Sequence, residues 1–124
     1  MPLTQLDHVT ILCSDLSRSR AFYAEALGLV DGERPPFNFP GAWLWLGDKP
    51  VVHLVGGRND GTLYETGSFD HVAFAANDLD AVRARLANAG ITYRETSVPG
   101  RPLHQIFFVD PDGVKIELNV YVDR

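Results

Sequence analysis

The 124-residue chain predicts an α+β fold made of two tandem β-α-β-β-β units. Two observations carry that expectation: an internal repeat, and in each copy one early helix signal followed by three short strand-like segments. Leu6-Asp7-His8-Val9 returns as Phe69-Asp70-His71-Val72, an offset of 71 − 8 = 63 residues. Asp15-Leu16 returns as Asp78-Leu79 at the same offset of 63. Ala26-Leu27-Gly28 is echoed by Asn88-Ala89-Gly90 one residue shorter, and His53-Leu54 is answered by Glu117-Leu118 at 117 − 53 = 64. Single matches arise by chance; several in one order at nearly constant spacing indicate duplication.

In the first copy, Leu6–Cys13 is rich in apolar and β-branched residues and reads as a strand. Ser14 or Asp15 then offers a side-chain oxygen to the free N–H groups that open a helix. Leu16, Phe22, Tyr23, Ala26 and Leu27 give that helix an apolar face, and Gly28 supplies the left-handed residue that ends it. Strands follow near Leu29–Glu33, Ala42–Gly47 and Val51–Val55, the last two joined by a turn at Gly47-Asp48-Lys49-Pro50. In the second copy, Asn77 or Asp78 caps a helix whose stripe is Leu79, Val82, Leu86 and Ala89, closed by Gly90. Its strands are expected near Ile91–Glu95, Gln105–Val109 and Val114–Tyr121, with Asp110-Pro111-Asp112-Gly113 as the turn.

The length suits one domain over residues 1–124, with repeat unit one at 5–56, a Gly-rich polar linker at 57–67 and repeat unit two at 68–122. A net charge of −5 with scattered basic residues excludes the basic stripe on which nucleic-acid binding depends. No apolar run approaches the roughly 18 residues that span a bilayer, and the first residues lack the pattern of a signal peptide, so the expected location is the cytoplasm. Cys13 is the single cysteine, which rules out an intrachain disulfide and points to a buried structural role.

Four positions stand out. His8 and His71 occupy equivalent places on the first strand of each copy, and His53 and Glu117 occupy equivalent places on the last. Packed about a pseudo-twofold axis, equivalent positions converge in pairs, which makes these four candidate ligands for one divalent ion. Two histidines and a carboxylate leave coordination positions open for a substrate. His104 falls outside the pattern, in the 96–104 loop. Arg34-Pro35-Pro36-Phe37-Asn38-Phe39-Pro40-Gly41 is stiffened by prolines and leads into Trp43. Phe37, Phe39 and Trp43 are candidates for an apolar substrate wall, and Arg34 and Arg101 for holding a substrate carboxylate.

The stretches Leu6-Asp7-His8-Val9, Phe22-Tyr23 through Leu27-Gly28-Leu29, Phe69-Asp70-His71-Val72 and Phe108 through Leu118 resemble the vicinal oxygen chelate superfamily, within it the glyoxalase-like subgroup. That resemblance implies cupped mixed sheets and one divalent metal per site (nickel, zinc, manganese or iron) held by His8, His53, His71 and Glu117. It further implies a lyase or isomerase acting on a small substrate that chelates the metal through vicinal oxygens, with Glu117 as general base and His53 as second choice. A homodimer is implied too, with the metal site either intrachain or shared between subunits. True bacterial glyoxalase I is expected to carry glutamate where this chain has His53, so the likeness is to the wider subgroup. Two other activities fit the same resemblance: an iron(II) extradiol-type dioxygenase, and a non-catalytic drug- or metabolite-binding protein of the bleomycin-resistance kind.

Overall fold

The structure, a computed structural model, describes residues 5–57 and 69–121. The expected linker at 57–67 lies outside the described residues except for Gly57. Along the chain run β1 (Val9–Leu12), α1 (Leu16–Leu27), β2 (Val30–Gly32), β3 (Gly41–Leu46) and β4 (Lys49–Val55). Then come β5 (His71–Ala76), α2 (Leu79–Asn88), β6 (Arg94–Ser97), β7 (Leu103–Val109) and β8 (Lys115–Tyr121). The strands form two four-stranded sheets, ordered β1-β4-β3-β2 and β5-β8-β7-β6, and the chain divides into two compact units that follow these sheets. Both sheets are mixed: the first strand of each pairs parallel with the last, and every other pairing is antiparallel. The α+β class and the β-α-β-β-β order read from the sequence are both found.

Local chemistry sets the element ends. Asp15 caps α1 by accepting a hydrogen bond from the Arg18 N–H, and Gly28, at φ 71°, ends it in the left-handed conformation that costs a glycine nothing. Asp78 caps α2 in the same way, accepting from the Ala81 N–H. Two strand starts fall later than expected. The first strand begins at Val9, where pairing with Val52 of β4 begins, and the unpaired Leu6 is 79% exposed. The strand expected from Ile91 begins at Arg94, because the Ile91 N–H is spent on the Leu86 carbonyl that closes α2. The first hairpin turn is also tighter than expected. Leu46 pairs with Lys49, so Lys49 and Pro50 belong to β4 and only Gly47 and Asp48 turn. Gly47, at φ 63°, supplies the positive φ that a two-residue II′ turn requires at its first position.

Each sheet buries one alternating set of apolar side chains. In the first unit Leu44 and Val52 face each other across β3 and β4, both fully buried, with Leu54, Ile11, Cys13 and Tyr23 completing the core. In the second, Ile106 opposes Leu118 and Phe108 opposes Ile116, with Val72, Leu86 and Val120 buried alongside. Alternation along a strand then sends the intervening residues to the other face, and that is where the candidate functional groups lie. Among the described residues no helix is long and apolar enough to cross a membrane.

The turn before β8 is held by a buried carboxylate. Asp110, 4% exposed, accepts on Oδ1 from the N–H groups of Asp112 (2.8 Å) and Val114 (2.9 Å). Asp110→Ala strands both donors and is expected to lower unfolding stability by about 2–3 kcal/mol. Urea denaturation reads this as a lower midpoint at unchanged slope. An unchanged midpoint would show that the turn holds without the carboxylate.

Candidate functional site: two histidine-centred donor pairs

The parallel pairing that closes each sheet fixes the geometry. Thr10 lies opposite His53, and His8 stands two residues before Thr10. Ala73 lies opposite Glu117, and His71 stands two residues before Ala73. The same register therefore operates in both units, and it brings a histidine at the start of the first strand (His71), or just before it (His8), diagonally beside a last-strand donor.

In the second unit the pair is His71 and Glu117. The His71 Nε2 is 3.2 Å from Glu117 Oε1, while its Nδ1 donates to Asp70 Oδ2 at 2.7 Å. Asp70 also receives the Lys115 ammonium at 3.1 Å. The hydrogen bond from His71, and then Lys115, hold the Asp70 carboxyl below the usual carboxylate range. Glu117 is buried at 8% exposure between Ile116 and Leu118, whose side chains go to the core face. Its Oε2 accepts from the Gln105 amide at 3.3 Å, and that amide also donates to Asn119 Oδ1 at 3.2 Å.

In the first unit the pair is His8 and His53. Their rings stack with centroids 3.7 Å apart and planes 14° from parallel, and Trp43 stacks on the other side of His53 at 4.1 Å and 11°. His8 repeats the second unit's arrangement: its Nδ1 donates to Asp7 Oδ2 at 2.7 Å, and Lys49 approaches Asp7 at 3.5 Å. Asp7 is shifted down by the His8 hydrogen bond and then by the Lys49 charge. His53 donates from Nε2 to the Pro50 carbonyl at 3.1 Å. Burial, and then the proximity of His8, push the His53 pKa below its ordinary value, which favours the neutral ring.

The Trp43 side of this stack continues into the expected aromatic wall. Phe37 lies 6.4 Å from Trp43 and stacks on Phe39 at 5.1 Å, both phenyl rings about half-exposed. The Arg34 guanidinium sits over both phenyl rings, at 5.1 and 5.0 Å, and donates to the Phe39 carbonyl. Arg34, Phe37, Phe39, Trp43, His53 and His8 thus form one continuous column in the first unit. Arg101 is not part of it: it belongs to the turn between β6 and β7, where its N–H donates to the Val98 carbonyl. His104 also stands apart, donating from Nε2 to Glu95 (2.8 Å), which in turn takes Arg83 (3.0 Å).

The donor chemistry suits a divalent cation at three of the four positions. Asp7 and Asp70 each take a histidine Nδ1–H, which leaves Nε2 as the ring atom for a ligand contact, the arrangement metal-binding histidines adopt. In His71 that atom lies 3.2 Å from Glu117 Oε1. Glu117 adds a buried carboxylate. His53 is different: parallel stacking makes its in-plane lone pair run beside that of His8 rather than converge with it, and its Nε2–H is committed to Pro50. Among the described residues no group of three or more His, Cys, Asp or Glu is arranged to hold a metal ion. Sequence reading missed Asp7, Asp70 and Gln105. The two aspartates were visible as the repeated Asp-His dipeptide; Gln105 had no such signal.

The family model described as the glyoxalase/bleomycin resistance protein/dioxygenase superfamily matches residues 5–118. The chain is 34% identical to "Glyoxylase I 4" of Arabidopsis thaliana, over 94% of this chain and 70% of that protein. It is also 34% identical to the glutathione transferase FosA of Serratia marcescens, over 95% of this chain and 82% of that protein. Among solved structures, a mutant of the fosfomycin resistance protein FosX from Listeria monocytogenes, complexed with Mn(II) and a dihydroxypropylphosphonic acid, matches with a TM-score of 0.74 at 17% identity. That match covers 95% of this chain and 92% of the other, and it shows a shared fold.

The ring stack predicts a titration. In metal-free protein the His53 ring protons, followed by NMR, are expected to titrate below the 6.5 of an unperturbed imidazole. His8→Ala removes both a cationic neighbour and part of the cover on the ring, and both changes act upward, so the midpoint should rise in that variant. Because the folded-state value lies below the unfolded one, protonation favours unfolding, and stability should decline as pH falls through about 6.5. A His53 midpoint unmoved by His8→Ala would contradict the electrostatic coupling.

Proposed function

The chain belongs to the glyoxalase/bleomycin resistance protein/dioxygenase superfamily, and from that premise we propose that it is a metal-dependent, glyoxalase-like lyase or isomerase acting on a small substrate with vicinal oxygens. The observation that carries the reading is the His71–Glu117 pair, with His71 oriented by Asp70 and Glu117 buried beside it. In this proposal His8, His71 and Glu117 hold one divalent ion, and His53 joins them by turning out of its stack and releasing Pro50. In this reading one ion would take both pairs, within one chain or across a homodimer. The bound ion would supply Lewis acidity toward negative charge developing on a substrate oxygen.

The chain's own groups do the rest. Glu117, with Oε1 toward His71 and Oε2 held by Gln105, is the proposed base that takes a proton from the carbon beside a carbonyl and returns it to the adjacent carbon. The carbon that loses the proton carries a hydroxyl, whose own proton passes to the former carbonyl oxygen. The net change is an isomerisation, in which one C–H and one O–H bond break and one of each forms. His53, neutral near physiological pH, is the alternative acceptor. Trp43, Phe37 and Phe39 would exclude water from the substrate, Arg34 would brace that wall through its two ring contacts, and Arg101 would meet a substrate carboxylate. Likeness to an enzyme named glyoxylase I supports this reading. Equal likeness to FosA favours a second one, thiol transfer to a small electrophile, on the same donor set.

Metal analysis of tag-free wild type, His71→Ala and Glu117→Ala tests the proposal. The expected outcome is about one nickel, zinc, manganese or iron per site in the wild type, lost in both variants. Size-exclusion chromatography with light scattering reports whether the metal-bearing species is a dimer. Turnover of a thiol hemithioacetal then supports the isomerase, thiol consumption by an epoxide the transferase, and oxygen uptake with iron a dioxygenase. A wild type that stays metal-free after incubation with each ion would overturn the enzyme readings in favour of a binding protein.

A further inference from the structure

Gln105 occupies a place that the repeat does not account for. It faces Asn119 across β7 and β8 and Thr96 across β6 and β7, and it lies diagonal to Glu117. Its amide is fully committed: Nε2 donates to Glu117 Oε2 (3.3 Å) and to Asn119 Oδ1 (3.2 Å), while Oε1 accepts from the Thr96 hydroxyl at 3.4 Å. The alternative amide orientation would set the Gln105 carbonyl oxygen against the Glu117 carboxylate, so the carboxylate selects the orientation in which the amide NH2 faces it. From the other side of β8, the cross-strand neighbours of Glu117 and Asn119 are Ala73 and Ala75, which carry no side-chain polar atoms. In the first unit the position equivalent to Gln105 (105 − 64 = 41) is Gly41, which has no side chain to hold anything.

We infer that Gln105 is the positioning residue for Glu117: its amide ties down Oε2, so that Oε1 alone is presented beside His71 as a single-oxygen ligand and base. The inference rests on the proposed role of Glu117 in metal binding. Thr96 acts one step further out, by donating to Gln105 Oε1 and so holding the amide in place beside the carboxylate. A carboxylate held by one oxygen keeps its second lone-pair set from occupying a coordination position that the substrate needs, and it enters binding without having to be ordered first.

The test uses metal-free full-length protein titrated with Co2+ alone, followed by calorimetry and by the visible absorption of the bound ion, in wild type, Gln105→Met and Thr96→Val. Gln105→Met keeps the side-chain length and removes the donors. It should weaken Co2+ binding by about 10- to 100-fold, the usual consequence of losing a partner behind a ligand. It should also change the absorption bands, because the released carboxylate binds through both oxygens. Thr96→Val leaves both bonds to Glu117 and Asn119 available and should weaken binding less, in the same direction. Wild-type affinity and wild-type bands in Gln105→Met would overturn the inference while leaving the metal reading intact. Should Gln105→Met lose its circular dichroism, Thr96→Val with unchanged affinity and bands would overturn it instead. A wild type that binds no Co2+ would overturn the metal reading itself, and this inference with it.

Discussion

Parallel pairing of the first strand with the last governs everything placed on either sheet. A parallel pair needs a long connection, and in each unit that connection contains the helix and two further strands. Its register is strict, because a slip of one residue would turn the buried apolar set of β4 or β8 to the opposite face and expose it. Val52 and Leu54 in one unit, and Ile116, Leu118 and Val120 in the other, are nearly inaccessible to solvent and pin that register. Once it is pinned, a side chain on the non-core face of the last strand must lie diagonally beside the residue two positions before its partner on the first. His53 with His8 and Glu117 with His71 follow from core packing, not from any attraction between the members of each pair. Each histidine is then aimed by the aspartate that precedes it, a contact made entirely within the dipeptide.

The two units share this frame and differ in what surrounds the donors. Opposite His53 on β3 stands Trp43, and opposite Glu117 on β7 stands Phe107, so both donors have an aromatic cross-strand partner. Beyond that the linings part. The first unit stacks Trp43, Phe37 and Phe39 into an apolar column braced by Arg34. The second carries Thr96, Gln105 and Asn119 in a hydrogen-bonded row. A neutral imidazole tolerates the first surrounding, since burial only makes protonation harder. A buried carboxylate requires the second, since an ionised oxygen without donors is costly to desolvate. The exchange of His53 for Glu117 at equivalent positions is thus matched by the exchange of an aromatic environment for an amide-rich one.

This divergence explains what could be read from the sequence. The duplication, both helix caps, Gly28 and Gly90 as stops, and the order of the strands were legible because they repeat or because their signals are local: a capping carboxylate followed by an apolar stripe, a glycine where the helix must end. Strand starts were less legible, because the bond from Ile91 to the Leu86 carbonyl competes for the chain just where a strand pattern seems to begin. The candidate donors emerged from the repeat itself. Gln105 did not, since its role depends on the repeat being broken at Gly41. The stacking of His53 between His8 and Trp43 is likewise invisible in one dimension, because periodicity places residues on a face but does not say which rings meet.

The asymmetry bears on the order in which the proposed donors would engage an ion. His71 and Glu117 already lie 3.2 Å apart, with every hydrogen-bonding partner behind them in place, so binding there asks for little rearrangement. His8 is oriented too, through Asp7. His53 must give up a carbonyl and two stacked faces before it can turn, and each of those contacts opposes the change. Of the four proposed ligands, His8, His71 and Glu117 are therefore already oriented, whereas His53 would join them only at the cost of its present contacts. The stack on Trp43 would thus hold the fourth proposed ligand back, and the neutral ring that burial favours would remain available as a proton acceptor.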